Sequence, residues 1–396
     1  MRLFNFRRPT FFVILLPLII ILFLSVGVSA DIHFVNPVPF DQLTSPYLFI
    51  DEAAGKYSLV VIDTKADQVF NRTELIGRFG TVIGDIHKSP DGSYYFLDSG
   101  YQANSKDRYG EASVAVLEPS SGRIATQFSI PSRTDMMSNI TSSNKFLAVR
   151  NGWTTGKGVE FVLINTNNHQ IEKFYQKTGP GKTSYPWRAY LAGHHTIESS
   201  SEQYIYLTLD TSPPAALYRL DPYNKELTRL HLWERLTYNP AKIGFGQNFL
   251  YAAVYPALDQ IVGEDKTPLE IQILDKKTGK LERHLPMPSV EKLFGWEGSR
   301  SDVYISWVQY DKAKEILYLN LHIYHPFKGS SVVSCDVNTH TNQFNRIAAW
   351  RNKGFNEMQV INSDLYLRQM NFKGHDEVLR LDPKTGDKKW IIVNKR

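Results

Sequence analysis

From residue 47 onward the chain repeats one arrangement of apolar and polar positions. A short β-branched or aliphatic run ends on an acidic residue or Asn, a polar turn usually with Gly or Asn follows, and a second extended run begins. Seven segments carry this pattern. They are LVVIDTKADQVF with Asp63, VAVLEPSSGRIATQF with Glu118, FVLINTNNHQIEKF with Asn165 and LYRLDPYNKELTRL with Asp221. IQILDKKTGKLERHL with Asp275, VVSCDVNTHTNQF with Asp336 and VLRLDPKTGDKKWII with Asp382 complete the set. These marker residues lie 46 to 61 positions apart, a period that marks a repeat architecture.

Each marker segment has the signature of a β-hairpin: apolar runs that fit strands, joined by Asx and Gly turn chemistry. A second hairpin is expected upstream of each, as in DIHKSPDGSYYFLDS, NITSSNKFLAV, TIESSSEQYIYLTL and MQVINSDLYLRQM. Two hairpins make a four-stranded antiparallel unit of roughly 50 residues, the size of a propeller blade. One such sheet cannot bury both faces alone, whereas seven arranged radially bury each face on a neighbour and leave no long edge. The pattern predicts an all-β fold: a single seven-bladed β-propeller of four-stranded antiparallel blades over residues 31–396. Blade one is expected to begin near Tyr47. Residues 31–40 are expected to supply its first strand or to pack against the closure.

LVVIDTKADQVFNRTELIG, SPDG and LDPKTGDKKW resemble the repeats of the YVTN and quinoprotein-like seven-bladed propellers. The resemblance spans nearly all of the chain after residue 40 and implies that fold. Its motifs are blade motifs and carry no chemistry. Quinoprotein dehydrogenase repeats place a Trp after the turn in most blades, and only Trp390 matches that here; adjacent cysteines are also missing. No quinone or other cofactor is expected.

The first 30 residues break the pattern. FFVILLPLIIILFLSVGV at 11–28 is an uncharged apolar run behind Arg2, Arg7 and Arg8, and Val28-Ser29-Ala30 is a small-residue site of the kind signal peptidases cut. A run of about 18 residues borders on a minimal membrane span. Residues 1–30 are therefore predicted to be a cleaved signal peptide, with an uncleaved N-terminal membrane anchor as the alternative. Either places the body outside the cytoplasm: secreted, periplasmic or at the cell surface.

This segment also changes what the charge means. The net charge is +5, but three arginines and no acid lie in 1–30, which leaves +2 for the body. A nearly neutral body without a polybasic run gives no electrostatic basis for nucleic-acid binding. The single cysteine, Cys335, excludes an intrachain disulfide framework and a multi-cysteine metal site. Stability must come from a large core, which the 42% hydrophobic content supplies.

Turn lengths select the working face. The turns within hairpins are tight, whereas the connections between hairpins, such as 98–113, 150–160, 175–193 and 322–331, are long and open on the opposite face. Long loops on a rigid scaffold usually carry function. That face is expected to bind through Arg108, Tyr109, Trp153, Trp187 and Arg188, an aromatic and basic surface suited to sugar rings or extended peptide. Lys242, Tyr304 and Glu357, near the starts of innermost strands, add a polar lining to the central channel. Packing between blades is the alternative role for these aromatics.

Two constellations could carry more chemistry. Asp85 and His87 with His194 or His195 could hold a divalent cation or act as base on a sugar, uronate or lactone. Adjacent histidines on a strand point to opposite faces, so only one of the pair could contribute. His322 and His325 are three apart, which also sets them on opposite faces of a strand unless the segment turns at Pro326. No metal is expected. No nucleophile elbow, phosphate loop or paired-carboxylate motif occurs. The sequence is best read as an exported, monomeric binding or scaffolding module for a protein or carbohydrate ligand at the cell envelope. An extracytoplasmic lyase or hydrolase is the competing class.

Overall fold

The computed structural model describes residues 33–53, 56–76, 83–89, 91–98, 112–130, 136–140, 145–150, 159–176, 188–191, 204–210, 215–233, 242–254, 270–288, 302–311, 313–325, 329–341, 343–351, 355, 357–370 and 376–392. Among these residues no helix occurs, and the strands assemble into seven four-stranded antiparallel sheets.

The first sheet holds β1 (His33–Phe34), β2 (Tyr47–Ala53), β3 (Lys56–Asp63) and β4 (Gln68–Ile76). The second holds β5 (Ile83–Lys88), β6 (Tyr94–Asp98), β7 (Ala112–Glu118) and β8 (Arg123–Ile130). The third holds β9 (Met136–Ile140), β10 (Lys145–Arg150), β11 (Val159–Asn165) and β12 (Ile171–Gln176). The fourth holds β13 (Arg188–Leu191), β14 (Ile205–Asp210), β15 (Ala215–Asp221) and β16 (Glu226–Trp233). The fifth holds β17 (Lys242–Phe245), β18 (Phe249–Val254), β19 (Glu270–Asp275) and β20 (Leu281–Pro286). The sixth holds β21 (Asp302–Asp311), β22 (Ile316–His325), β23 (Gly329–Asn338) and β24 (Gln343–Arg351). The seventh holds β25 (Glu357–Ile361), β26 (Asp364–Met370), β27 (Asp376–Leu381) and β28 (Lys388–Ile392).

The marker residues work as turn-formers. In five of the seven the side-chain oxygen accepts backbone N–H groups two or three residues ahead, which folds the chain back without a partner strand, whereas Glu118 Oε2 accepts the Ser121 hydroxyl. Asp63 Oδ1 accepts from Lys65 and Ala66, Asp221 Oδ1 from Tyr223 and Asn224, and Asp382 Oδ1 from Lys384 and Thr385. Asn165 and Asp275 do the same. In the sixth sheet the turn-former is Asn338, which accepts from His340 and Thr341, rather than the Asp336 picked out by pattern. Asp336 lies two residues earlier inside β23 and holds Asn345 of β24. The repeat is thus two residues out of phase there.

In five sheets the outer hairpin also carries a register shift one to three residues before the turn: Val61/Ile62, Val116/Leu117, Leu217/Tyr218, Ile273/Leu274 and Ser334/Cys335. A recurrent bulge of this kind increases strand twist, which suits sheets stacked face to face around a ring.

Middle strands such as FLYAAV (β18) are apolar almost throughout because both of their faces are covered by neighbouring sheets. Outer strands such as LERHLP (β20) expose most positions. The core is accordingly divided into layers, one between successive sheets. Tyr251, Ile271 and Ile273 meet Ile305, Val308 and Leu317 between the fifth and sixth. Leu48, Leu59 and Val61 meet Phe96, Ala115 and Leu117 between the first and second. Tyr47, Phe49, Val60 and Ile62 meet Tyr366, Val378 and Ile391 between the first and seventh.

One polar contact recurs at these layers. Tyr95 Oη of the second sheet donates to Thr166 O, next to the turn-former of the third. Tyr366 Oη of the seventh donates to Thr64 O, in the equivalent place in the first, at 3.1 Å. Burial raises both phenols, that of Tyr95 to about 12, so both remain protonated donors. Arg380 and Lys389 add ion pairs from the last sheet to Asp67 of the first. The seventh sheet therefore meets the first as the second meets the third.

The first sheet is built differently from the rest. Its strand order is β1-β4-β3-β2, whereas the others follow sequence order. Its marker hairpin, β3–β4, lies in the middle of the four described strands, with β1 added outside β4. Residues 33–34 form its outermost strand against β4, so residues 31–40 do supply a strand of the first sheet, at its outer edge. Residues 35–46 instead cross beneath, with Phe40 N–H donating to Pro119 O and Thr64 Oγ1 donating to Ser45 O.

Candidate functional site

The innermost strands of successive sheets lie side by side, β5 by β9, β9 by β13, β17 by β21 and β21 by β25. Five of the sequence-selected channel residues fall on them. Asp85 and His87 lie two apart on β5, where His87 pairs with Tyr95. Lys242 and Glu357 are the first residues of β17 and β25, and Tyr304 is the third of β21, paired with His322. Arg188, selected for the loop face, is the first residue of β13, opposite Asp210. His194, His195, Arg108, Tyr109, Trp153 and Trp187 lie outside the described residues.

Of the candidates, Glu357 has a fully described environment. It sits in a polar cluster on the inner part of the layer between the seventh and first sheets. Glu357, Gln359 and Arg368 are 9%, 4% and 8% exposed. Directly paired residues on neighbouring strands share a face, so the pairs Glu357–Arg368 and Gln359–Tyr366 all look toward the first sheet. Arg368 Nη1 lies 3.2 Å from Glu357 Oε2, and Gln359 Nε2 donates to Glu357 Oε1 at 2.9 Å. The Arg368 guanidinium lies 4.4 Å from the centre of the Phe49 ring, and its Nη2 donates to Ile50 O at 2.8 Å. The carboxylate is thus neutralised and hydrogen-bonded, which is what burial of a charge requires. A second ion pair, half-buried Arg72 with buried Asp51 at 2.5 Å, lies farther along β2.

The equivalent layer between the sixth and seventh sheets is arranged differently. Gln309, paired with Tyr318 as Gln359 is with Tyr366, accepts the N–H of Val360 on β25 at 3.1 Å. Asn320, in the place of Arg368, donates to Phe355 O at 3.4 Å. His322 also contacts that oxygen, at 3.1 Å, and burial lowers its pKa so that the neutral ring is favoured. His322 therefore has a packing role that steadies the entry to β25. Among the described residues no group of three or more His, Cys, Asp or Glu side chains is placed to hold a metal ion.

Sequence reasoning singled out Glu357 but missed Arg368, Gln359, Gln309 and Asp51. Arg368 and Gln369 interrupt the apolar run DLYLRQM where the other second strands hold mostly apolar residues. That polar break is the signal that could have found them.

No family model matches the chain, and no curated protein matches it. Solved structures do. The β-propeller domain of the Trilobed protease from Pyrococcus furiosus, described as having an open velcro topology, is 14% identical over 91% of this chain and 97% of its own, with a TM-score of 0.51. The WD40 domain of Neurospora crassa Pan2 is 11% identical over 89% and 90%, also at 0.51. A putative 6-phosphogluconolactonase from Bacteroides uniformis is 11% identical over 92% and 97%, at 0.50. At these identities the likeness concerns the fold alone. The chain is an all-β protein with the β-propeller fold.

Proposed function

We propose that residues 31–396 form one closed seven-bladed propeller that acts outside the cytoplasm as a monomeric binding or scaffolding module. Residues 1–30 are its signal peptide or membrane anchor. The ligand is a protein or carbohydrate at the cell envelope, engaged through the loop-rich face and the central channel. One observation supports a binding role most: the polar groups described at the inner strands are tied to one another and to backbone. Glu357 is held by Arg368 and Gln359, and His322 by Phe355 O. Groups neutralised in this way brace a scaffold; a general acid or base needs a free protonation site at a substrate atom.

An extracytoplasmic hydrolase or lyase on a lactone or uronate is the second reading. It draws on Asp85 and His87 on one inner strand and on the description of one fold neighbour as a putative 6-phosphogluconolactonase.

Mass spectrometry of the mature protein tests export, with Asp31 as the expected N-terminus after cleavage. Glycan and peptide arrays probed with residues 31–396 test the binding role. Retained signals should weaken at least about tenfold in Trp153→Ala and Trp187→Ala, the order expected for aromatic anchors. Turnover of a lactone or uronate panel that disappears in His87→Ala would overturn the binding-only reading.

A further inference from the structure

In the second to seventh sheets the chain's own first hairpin supplies the innermost strand. In the first sheet β2 takes the second place, shown by the packing of Leu48 and Val61 against Phe96 and Ala115 and by the contact of β4 with β28. Among the described residues no strand pairs with the inner edge of β2. In an antiparallel sheet alternate residues direct their N–H and C=O groups to each side, so this edge presents backbone groups toward the channel.

Two side chains of the seventh sheet mark the place where a further strand would lie. Gln309 Oε1 accepts an edge N–H from β25, the innermost strand of the sheet that follows it. Gln359 occupies the equivalent position one sheet later. Its Oε1 is buried and accepts no hydrogen bond among the described residues. Asn320 reaches the backbone just before β25, whereas its counterpart Arg368 extends as far as Ile50 O on β2. The longer side chain spans about one strand spacing, roughly 4.8 Å, and meets a carbonyl that strand pairing would otherwise use.

We propose that the inner edge of β2 receives an extended segment of a partner polypeptide as an added innermost strand. One of its N–H groups satisfies Gln359 Oε1, as Val360 N–H satisfies Gln309. Arg368 holds the position until the segment displaces it from Ile50 O. Extended backbone is the ligand chemistry because the contact to be completed already exists, with backbone as donor, between the sixth and seventh sheets. Main-chain pairing provides affinity in this mode, and the flanking side chains select sequence. The inference rests on the binding-module reading and names its partner class.

The probe is a fluorescein-labelled peptide with the sequence of residues 355–363, FNEMQVINS, an innermost strand of this same fold. Fluorescence anisotropy with residues 31–396 should show saturable binding. The paired substitution Glu357→Gln with Arg368→Asn keeps the cluster neutral and recreates the short side chain of the sixth sheet; it should tighten binding at least about tenfold. Gln359→Leu, or a peptide carrying Val360→Pro, removes one hydrogen bond and should weaken binding by roughly five- to tenfold. Hydrogen exchange of residues 47–51 should slow when peptide is bound. No binding by the folded double variant, or equal binding by wild type and Gln359→Leu, overturns the proposal. Binding without protection of 47–51 overturns it too. Each of these failures leaves the loop-face reading standing, because that is tested by Trp153→Ala and Trp187→Ala on other ligands.

Discussion

Arg368→Ala is the substitution with the largest calculable consequence. The guanidinium is the only described charge partner of buried Glu357, at 3.2 Å. It also donates to Ile50 O at 2.8 Å and lies over Phe49. Removing it strands a carboxylate away from water, which costs about 3–5 kcal/mol. The lost charged hydrogen bond and cation–π contact are worth about 1.5–3 and 0.5–2 kcal/mol taken singly. They overlap with the first figure, so the expected total stays near 3–5 kcal/mol. Urea unfolding of residues 31–396, followed by Trp fluorescence, measures it as a shift in midpoint at unchanged slope. Glu357→Gln combined with Arg368→Met should recover most of the loss, because replacing a whole buried pair by neutral groups is often nearly free. A single variant within about 1 kcal/mol of wild type, or a double variant as unstable as the single one, would refute the reasoning.

Three further outcomes follow from other contacts. Tyr366→Phe and Tyr95→Phe each lose one buried hydrogen bond to a turn carbonyl and should each cost about 0.5–1.5 kcal/mol; a much smaller effect for Tyr366 alone would mean that the first and seventh sheets are not joined like the others. Gly92 and Gly122 both have positive φ, but a methyl on Gly92 meets nothing within 4 Å, whereas on Gly122 it runs into the Val38 backbone. Gly92→Ala should cost about 1–2 kcal/mol and Gly122→Ala about 1–3 kcal/mol more, so equal thermal midpoints would show that residues 35–40 do not dock there. Thr278 Oγ1 and N–H hold Asp275 below the usual carboxylate range, and the Lys384 and Thr385 N–H groups do so for Asp382. Their folded pKa values are depressed, so this stabilisation is complete above about pH 4 and is lost as pH falls through the folded values. An acid titration of stability should be shallower in Asp275→Asn with Asp382→Asn, and identical slopes would count against the turn bonds.

The strands and turns were legible because each repeat satisfies its own turn locally. Asp63, Asp221, Asp275 and Asp382 form their turns with residues two or three ahead, so a short window of sequence contains the whole interaction. The misplacement of the sixth marker has the same origin: Asp336 has the expected residue type, but Asn338 meets the turn N–H groups. The strand order of the first sheet was not legible, because pairing of His33–Phe34 with Leu75–Ile76 spans some forty residues and carries no turn signal. The cluster around Glu357 was only half visible. Its carboxylate stood out on an inner strand, whereas Arg368 acts on Ile50 more than three hundred positions away.

A crystal structure of residues 31–396 tests the central claim most directly. It should show seven sheets in a closed ring, Tyr366 bonded to Thr64 O, and Arg368 bonded to Ile50 O beside an unpaired inner edge of β2. An open arc of sheets, a different number of blades, or a strand of the same chain paired along that edge would contradict the claim.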